Sequence, residues 1–104
     1  MMNARTAVVV EDDRDVGDAI SNLLDQAGFD VVIARTGAEA LALISEGQPD
    51  LVTLDLTLPD IDGLDVCRKI REERPELPII MLTARAEEMD VIVGLGAGAD
   101  DYVP

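Results

Sequence analysis

The sequence predicts an α/β fold, a parallel β-sheet with helices on both faces, and three observations support this. Short runs of Val, Ile and Leu alternate along the chain with segments whose apolar residues recur at helical spacing. Right-handed crossovers between parallel strands return over the sheet, so the helices must cover it. A length of 104 residues fits a single domain, which leaves no room for a multidomain enzyme.

Five segments have the pattern of strands. The first and third end in acidic residues, which indicates buried strands that stop at a polar edge of the sheet. The fifth would be incomplete because the sequence stops there. The predicted strands are Thr6–Val10, Asp30–Ala34, Leu51–Leu56, Ile79–Leu82 and a fifth that begins within Asp101–Pro104.

Four segments have helical patterns. In the first, apolar residues recur every three or four positions and Gly28 follows as a natural stop. Thr36 and Glu39 have the spacing of a capping box that opens the second helix. The predicted helices are Arg14–Ala27, a second closed by Gly47 and Pro49, Leu64–Glu73 and Glu87–Leu95.

The composition excludes several classes of function. A net charge of −14 would repel nucleic acid and anionic membrane surfaces. The absence of His and the single Cys exclude His-based triads, His zinc sites and an internal disulfide. No apolar run approaches a membrane span and no signal peptide precedes the domain, so we expect a soluble, cytoplasmic protein.

Acidic residues stand where a ligand is expected to bind an open parallel sheet, beyond the carboxyl ends of the strands. Asp55 lies inside an apolar run, where an unpaired buried carboxylate costs several kcal/mol, so we expect a compensating cation. Glu11 and Asp12 end another strand, and oxygen ligands without His or Cys favour Mg²⁺. With the metal, Asp55 can attack a phosphoryl group, and Thr83 is placed to donate to its oxygens.

Each of these residues also has an ordinary structural use. Asp55 can cap a loop, Glu11 and Asp12 can be solvated strand ends, and Thr83 can be a local cap. Asp60, Asp62 and Gly63 faintly resemble a calcium loop, but that alignment puts Lys69 where a bidentate Glu is required, so the motif fails. Cys67 shares a helical face with Leu64 and Ile70, which indicates a small buried hydrophobe.

Four sequence blocks resemble the receiver domain of bacterial two-component response regulators, most of all the OmpR/PhoB type. Their order and spacing match the family across almost the whole chain, which is more specific than any single block. The blocks are VVVEDD at Val8–Asp13, LDLTLPDIDGLD at Leu54–Asp65, MLTAR at Met81–Arg85 and GADDYVP at Gly98–Pro104.

The resemblance implies a flavodoxin-like, doubly wound sheet with strand order 2-1-3-4-5 over residues 1–104. It identifies Asp55 as the phosphoacceptor. It implies a Mg²⁺ site formed by Asp12, Asp55 and the backbone carbonyl of Thr57, with Glu11 in support. Thr83 matches the switch hydroxyl, Tyr102 the switch aromatic, and the backbone of Ala84 a phosphate contact.

The same resemblance implies a signalling switch that modifies itself and turns over no foreign substrate. Its expected partners are a sensor histidine kinase and a second copy of the chain. The DNA contact in such a regulator belongs to a separate output domain.

The chain departs from the family at its C-terminal end. Family receivers continue into a Lys-Pro pair and a fifth helix, and neither is present here. The only Lys, Lys69, lies on the third predicted helix and is expected to be a solvated charge. We expect a C-terminally truncated fragment of a longer regulator, the alternative being a natural protein that has lost the end of the switch. Either would expose an apolar face of the sheet and favour self-association or domain swapping.

Two other functions stay open. A phosphatase of the haloacid-dehalogenase class also uses a strand-end Asp with Mg²⁺, and Asp55 to Thr57 faintly resembles its first motif, although the second Asp of that motif is missing. An interaction module that works without phosphorylation is favoured by the missing Lys.

Overall fold

A computed structural model of the chain describes residues 5–82 and the backbone of residues 101–103. Strands and helices alternate in these ranges as predicted, and the predicted helix at Glu87–Leu95 lies outside them. The elements are β1 (Arg5–Val10), α1 (Arg14–Gln26), β2 (Phe29–Ala34), α2 (Gly37–Gly47), β3 (Leu51–Asp55), α3 (Gly63–Glu73), β4 (Ile79–Leu82) and β5 (Asp101–Val103).

The strands form one parallel sheet in the order β2-β1-β3-β4-β5. This confirms the predicted α/β class and strand order. The chain leaves β1 for β2 on one side and then returns to β3 on the other, so the order of strands reverses at β1. In such sheets the crevice at the reversal, beyond the carboxyl ends of the strands, is the usual place for a ligand.

The main core lies between the sheet and the two helices α2 and α3. Alternate residues of β1 and β3, among them Val10 and Leu54, point to this side and are buried with Ile44 of α2 and Ile70 of α3. Cys67 is also fully buried in this core, as its helical position predicted. The apolar contacts therefore fix α2 and α3 against the strands whose ends carry the acidic residues.

The opposite side of the sheet carries α1, which packs on β1 and β2. Ala7 and Val9 of β1 are buried there. The large apolar side chains that are exposed among the described residues include Val16 and Leu23 of α1. No described helix has the length and apolar character needed to cross a membrane.

The end of α2 lies where the sequence predicted it, between Gly47 and Pro49. Gly47 is the last helical residue, and the C-cap Gln48 adopts the left-handed conformation with φ 47°. Pro49 follows the C-cap, where proline is common because it cannot continue a helix. The predicted end of α1 is confirmed, since Gly28 has φ 97° directly after the C-cap.

Candidate metal centre

Three carboxylates meet at the carboxyl edge of the sheet. One oxygen each from Glu11, Asp12 and Asp55 lies within 4.8 Å of the others. Glu11 and Asp12 are neighbours in the chain, whereas Asp55 lies 43 positions after Asp12, so only the fold brings Asp55 to the other two. We call this group the acidic cluster.

Strand pairing explains why these residues meet. β1 and β3 are parallel neighbours, and Val10 lies opposite Leu54. The next residue on each strand is then Glu11 and Asp55, at the same edge of the sheet. The prediction that carboxylates from the two strand ends would lie together is confirmed.

The three members of the acidic cluster differ in burial. Glu11 is only 6% exposed, Asp55 is half-buried and Asp12 is exposed. A solvated strand end, the alternative considered for Glu11, is therefore wrong. Asp55 is less buried than its apolar neighbours predicted, because it is the last strand residue and its side chain reaches the open edge.

The pKa of Glu11 is raised from an ordinary 4.5 to about 7. The largest cause is burial, followed by a side-chain hydrogen bond with Asp55; the charges of Asp55 and Asp12 act in the same direction, and the hydrogen bond from the Asp13 N–H opposes them. A protonated Glu11 donates to Asp55 and relieves part of the repulsion among the three carboxylates. A divalent cation would relieve the same repulsion with Glu11 ionised.

The donor set suits Mg²⁺. It consists of carboxylate oxygens from two strand ends, and Mg²⁺ is held by one or two carboxylates with carbonyls and waters completing its octahedron. The ion pairs of Arg35 with Asp18 and of Arg68 with Asp65 involve other acids, so they do not neutralise the cluster. Asp12, with its exposed carboxylate, and Asp55 are open to an incoming cation.

The loop after Asp55 orients this carboxylate. The N–H of Thr57 donates to Oδ1 of Asp55 at 3.2 Å. Gly63 packs directly beneath this loop: its N–H donates to the Leu56 carbonyl at 3.1 Å, and a Cβ at this position would lie 2.6 Å from the Leu56 Cα and against the Asp55 carbonyl oxygen. Glycine is therefore required where α3 starts, because any side chain would push the loop away from the cluster.

The neighbouring acids have structural partners instead. Asp13 caps α1 by accepting from the Val16 N–H at 3.1 Å, and Asp62 caps α3 by accepting from the Leu64 N–H at 2.9 Å. Asp60 accepts from the N–H groups of Gly37 and Ala38 at the start of α2. Asp60 and Asp62 thus bind helix N-termini, which accounts for the residues that faintly resembled a calcium loop.

The structure places the remaining predicted residues as follows. Thr83 and Ala84 lie outside the described residues. The backbone of Tyr102 belongs to β5 and pairs with Met81 of β4. Lys69 is exposed on α3, as expected of a solvated charge.

Sequence reasoning missed Arg35 and also Gly17, where a Cβ would lie against the Arg35 side chain. Arg35 follows β2 at the same edge of the sheet, and its Nη1 donates to the carbonyl oxygens of Glu11 and Asp13. Its position directly after a predicted strand was the only available signal, because nothing in the sequence shows how far the side chain reaches.

Comparison with known proteins gives consistent matches. Residues 7–104 match the family model of the response regulator receiver domain. The fold is similar to the BeF₃-activated N-terminal receiver domain of Klebsiella pneumoniae RstA, at 39% identity and a TM-score of 0.90 over 95% of this chain and 84% of that one. It is also similar to a CheY-like receiver domain protein from Methanospirillum hungatei, at 33% identity and a TM-score of 0.91 over 97% of this chain and 81% of that one.

A more distant similarity concerns a response regulator from Burkholderia pseudomallei. That structure contains a phosphorylated aspartic acid, a calcium ion and citrate. Its identity to this chain is 26% and the TM-score is 0.88, over 94% of this chain and 58% of that one.

Proposed function

Because the chain belongs to the response regulator receiver family, we propose that it is a phosphorylation-dependent switch that accepts a phosphoryl group on Asp55 from a sensor histidine kinase in the cytoplasm. The observation that carries this proposal is the acidic cluster, in which a half-buried strand-end aspartate lies beside two further carboxylates. The phosphorylated aspartate of the Burkholderia pseudomallei relative supports it by similarity.

Asp12, Asp55 and the carbonyl of Thr57 would hold Mg²⁺, with Glu11 in support. When bound, the ion would neutralise the carboxylates and the oxygens of the transferred phosphoryl group. The structure of the Burkholderia pseudomallei relative contains a calcium ion, which supports binding of a divalent cation by similarity.

Asp55 would act as the nucleophile. Its Oδ1 accepts from the Thr57 N–H, so Oδ2 is the oxygen that we expect to attack the phosphorus in line. The new O–P bond forms as the P–N bond of the phosphohistidine breaks, and the imidazole leaves with its electron pair. The product is an aspartyl phosphate on the protein itself, so no foreign substrate is turned over.

The phosphoryl group carries about −1.5 to −2 charges, in place of the single charge of the Asp55 carboxylate, and extends them beyond the edge of the sheet. In the proposed switch it draws in the Thr83 hydroxyl and the Ala84 N–H, and Tyr102 follows, shifting an equilibrium between two surface forms. Self-association of the phosphorylated form, and control of a DNA-binding output domain as in OmpR/PhoB-type regulators, complete the proposal.

Intact-mass analysis after incubation with acetyl phosphate and Mg²⁺ tests the assignment. The wild-type chain should gain the mass of one phosphoryl group, and Asp55→Asn should gain none. Asp65→Asn removes an exposed acid of α3 that lies outside the acidic cluster and should be modified like the wild type. Equal modification of Asp55→Asn would overturn the assignment of the phosphoacceptor.

Two further measurements, phosphomonoester hydrolysis and partner binding, separate the alternatives. Steady release of phosphate from a phosphomonoester would indicate a phosphatase instead of a single stoichiometric modification. Partner binding that is unchanged in Asp55→Ala, with no phosphorylation of the wild type, would indicate an interaction module.

A further inference from the structure

The connection from β2 into the first turn of α2, residues 35–38, contacts the two loops that adjoin the acidic cluster. One loop joins β1 to α1 (residues 11–13), and the other joins β3 to α3 (residues 56–62). The connection itself supplies no carboxylate to the cluster. Its contacts are made by the side chain of Arg35 on one side and by the backbone of Gly37 and Ala38 on the other.

Arg35 holds the β1–α1 loop. Its Nη1 lies 3.4 Å from the carbonyl oxygens of both Glu11 and Asp13, so the guanidinium contacts the backbone on each side of Asp12. Its Nη2 lies 3.8 Å from Oδ1 of Asp18 in α1. A planar guanidinium presents Nη1 to the two carbonyl oxygens and Nη2 to Asp18 in one fixed geometry, whereas an ammonium group has all its donors on a single nitrogen.

Gly17 makes room for this side chain. A Cβ at position 17 would lie 2.9 Å from Nη1 of Arg35, while its next contacts, with Glu11, would be at an ordinary 3.6 Å. Position 17 lies inside α1, where glycine is less favourable than alanine. The space that it leaves is occupied by the guanidinium.

Asp60 holds the β3–α3 loop to the other side of the same connection. Its two carboxylate oxygens accept from the Gly37 N–H at 2.8 Å and from the Ala38 N–H at 3.0 Å. Gly37 is buried, and a Cβ there would lie 3.0 Å from Val66 and 3.1 Å from Ile61, so the connection and the loop are in close contact.

We infer that residues 35–38 are a positioning element for the metal centre, in which Arg35 and Asp60 set the placement of the loop bearing Asp12 relative to the loop that follows Asp55 and bears Thr57. The inference rests on the proposed function, since it concerns how tightly that centre binds Mg²⁺. Neither positioning residue would contact the ion.

Substitution of Arg35 separates positioning from charge. Arg35→Met removes a positive charge beside an acidic site, which by itself would strengthen Mg²⁺ binding. Loss of positioning would weaken it, because groups that orient metal ligands are commonly worth about 10–100-fold in metal affinity. We expect about threefold to tenfold weaker binding by calorimetry. Arg35→Lys keeps the charge but loses the planar guanidinium. Its Mg²⁺ affinity should therefore lie between that of Arg35→Met and that of the wild type.

Gly17→Ala is the second variant, and it keeps Arg35. The added methyl group displaces the guanidinium while improving the helix, so thermal stability should be equal or higher and Mg²⁺ affinity lower. A purely structural role for position 17 would not move these two quantities in opposite directions.

Asp60→Asn tests the other half of the element. The Asn side chain keeps one acceptor oxygen for the two backbone N–H groups, so the β3–α3 loop is held less firmly. Mg²⁺ affinity should therefore fall, and hydrogen exchange of the backbone N–H groups of Gly37 and Ala38 should become faster. Asp65→Asn removes one exposed charge without touching the loops and controls for the change in net charge.

The possible results are distinguishable. Wild-type Mg²⁺ binding together with unchanged or tighter binding in Arg35→Met and Gly17→Ala would overturn this inference and leave the proposed function intact. A folded wild-type chain that binds no Mg²⁺ would overturn the proposed metal centre and, with it, this inference.

Discussion

The β1–α1 loop and the β3–α3 loop, both at the carboxyl edge of the sheet, use their acidic side chains in different ways. In the β1–α1 loop, only Asp13 is engaged by a helix N-terminus, and Glu11 and Asp12 join the acidic cluster. In the β3–α3 loop, Asp60 and Asp62 are both engaged by helix N-termini. The difference indicates that carboxylates that bind helix N-termini shape the loops. The cluster carboxylates do not bind helix N-termini: Glu11 accepts from the Asp13 N–H and Asp55 from the Thr57 N–H, both within loops, which leaves other oxygens available to a cation.

The largest effect is expected where the β3–α3 loop rests on α3. Gly63→Ala places a methyl group against the backbone of Asp55 and Leu56, and neither can move without disturbing the strand end. We expect a loss of about 2–3 kcal/mol in the free energy of unfolding, measured by urea denaturation.

Gly47→Ala is the matched control for that substitution. A Cβ at Gly47 has nothing within 4 Å, and the residue is helical. The variant should be as stable as the wild type or more stable, by up to about 1 kcal/mol. Equal stability of both alanine variants would contradict the close contact beneath the loop.

The next largest effect is the pH dependence of the unfolding free energy that Glu11 causes. The folded protein keeps this proton up to about pH 7, whereas the unfolded chain loses it near 4.5. The stability that Glu11 contributes is therefore fully present below pH 4.5 and is lost as the pH rises through about 7. Between these pH values the folded protein binds up to about one proton more than the unfolded chain does. The difference in unfolding free energy between the wild type and Glu11→Gln should follow this curve in the absence of Mg²⁺.

Metal binding should show the opposite trend with pH. A proton on Glu11 opposes the cation, so the affinity of the wild type for Mg²⁺ should rise between pH 5 and about 7. Calorimetry in buffers of different ionisation enthalpy would detect the released proton. An affinity that does not change over this range would contradict a role for Glu11 beside the metal.

A smaller effect on stability is expected from the helix caps, and it should be nearly equal for the two loops. Asp13→Ala and Asp62→Ala each leave a helix N–H without its side-chain acceptor, at a cost of about 1 kcal/mol. Thermal unfolding of the two variants would check this. If Asp13→Ala cost far more than Asp62→Ala, the division between structural and cluster carboxylates would not hold for the β1–α1 loop.

The smallest effect is expected on the surface of α3. Asp65 and Arg68 form an ion pair at 3.0 Å, with both side chains more than half exposed. Exposed pairs of this spacing contribute about 0.3–0.5 kcal/mol. Asp65→Asn should therefore be nearly as stable as the wild type in low salt and indistinguishable from it in high salt.

The sequence predicted most of the described fold because its signals are local. Runs of β-branched residues bounded by turn residues placed β1 to β4 within one residue at each end, and the Thr36 side chain accepts from the Glu39 N–H as the capping box predicted. The glutamate of that box instead accepts from the Arg35 N–H, one residue before the expected donor. Local patterns gave the element but not the detail of its cap.

The acidic cluster was predictable only in part. Two acid-ending strands in a parallel sheet must bring their side chains to one edge, so Glu11, Asp12 and Asp55 could be grouped. Their relative burial could not, because it depends on what packs beside each one: Glu11 is enclosed while Asp12 next to it is exposed. The reach of Arg35 across to the β1–α1 loop is a long-range contact between side chain and backbone, for which the sequence has no pattern.

The pairing of β1 with β3 makes the cluster intolerant of changes in strand length. Val10 lies opposite Leu54, and successive residues of a strand face opposite sides of the sheet. Insertion or deletion of one residue within either strand would turn its terminal carboxylate to the other side and separate it from its partners. Variation in this chain that preserves the centre must therefore proceed by substitution, or by length changes confined to the amino-terminal ends of the strands and the turns that precede them.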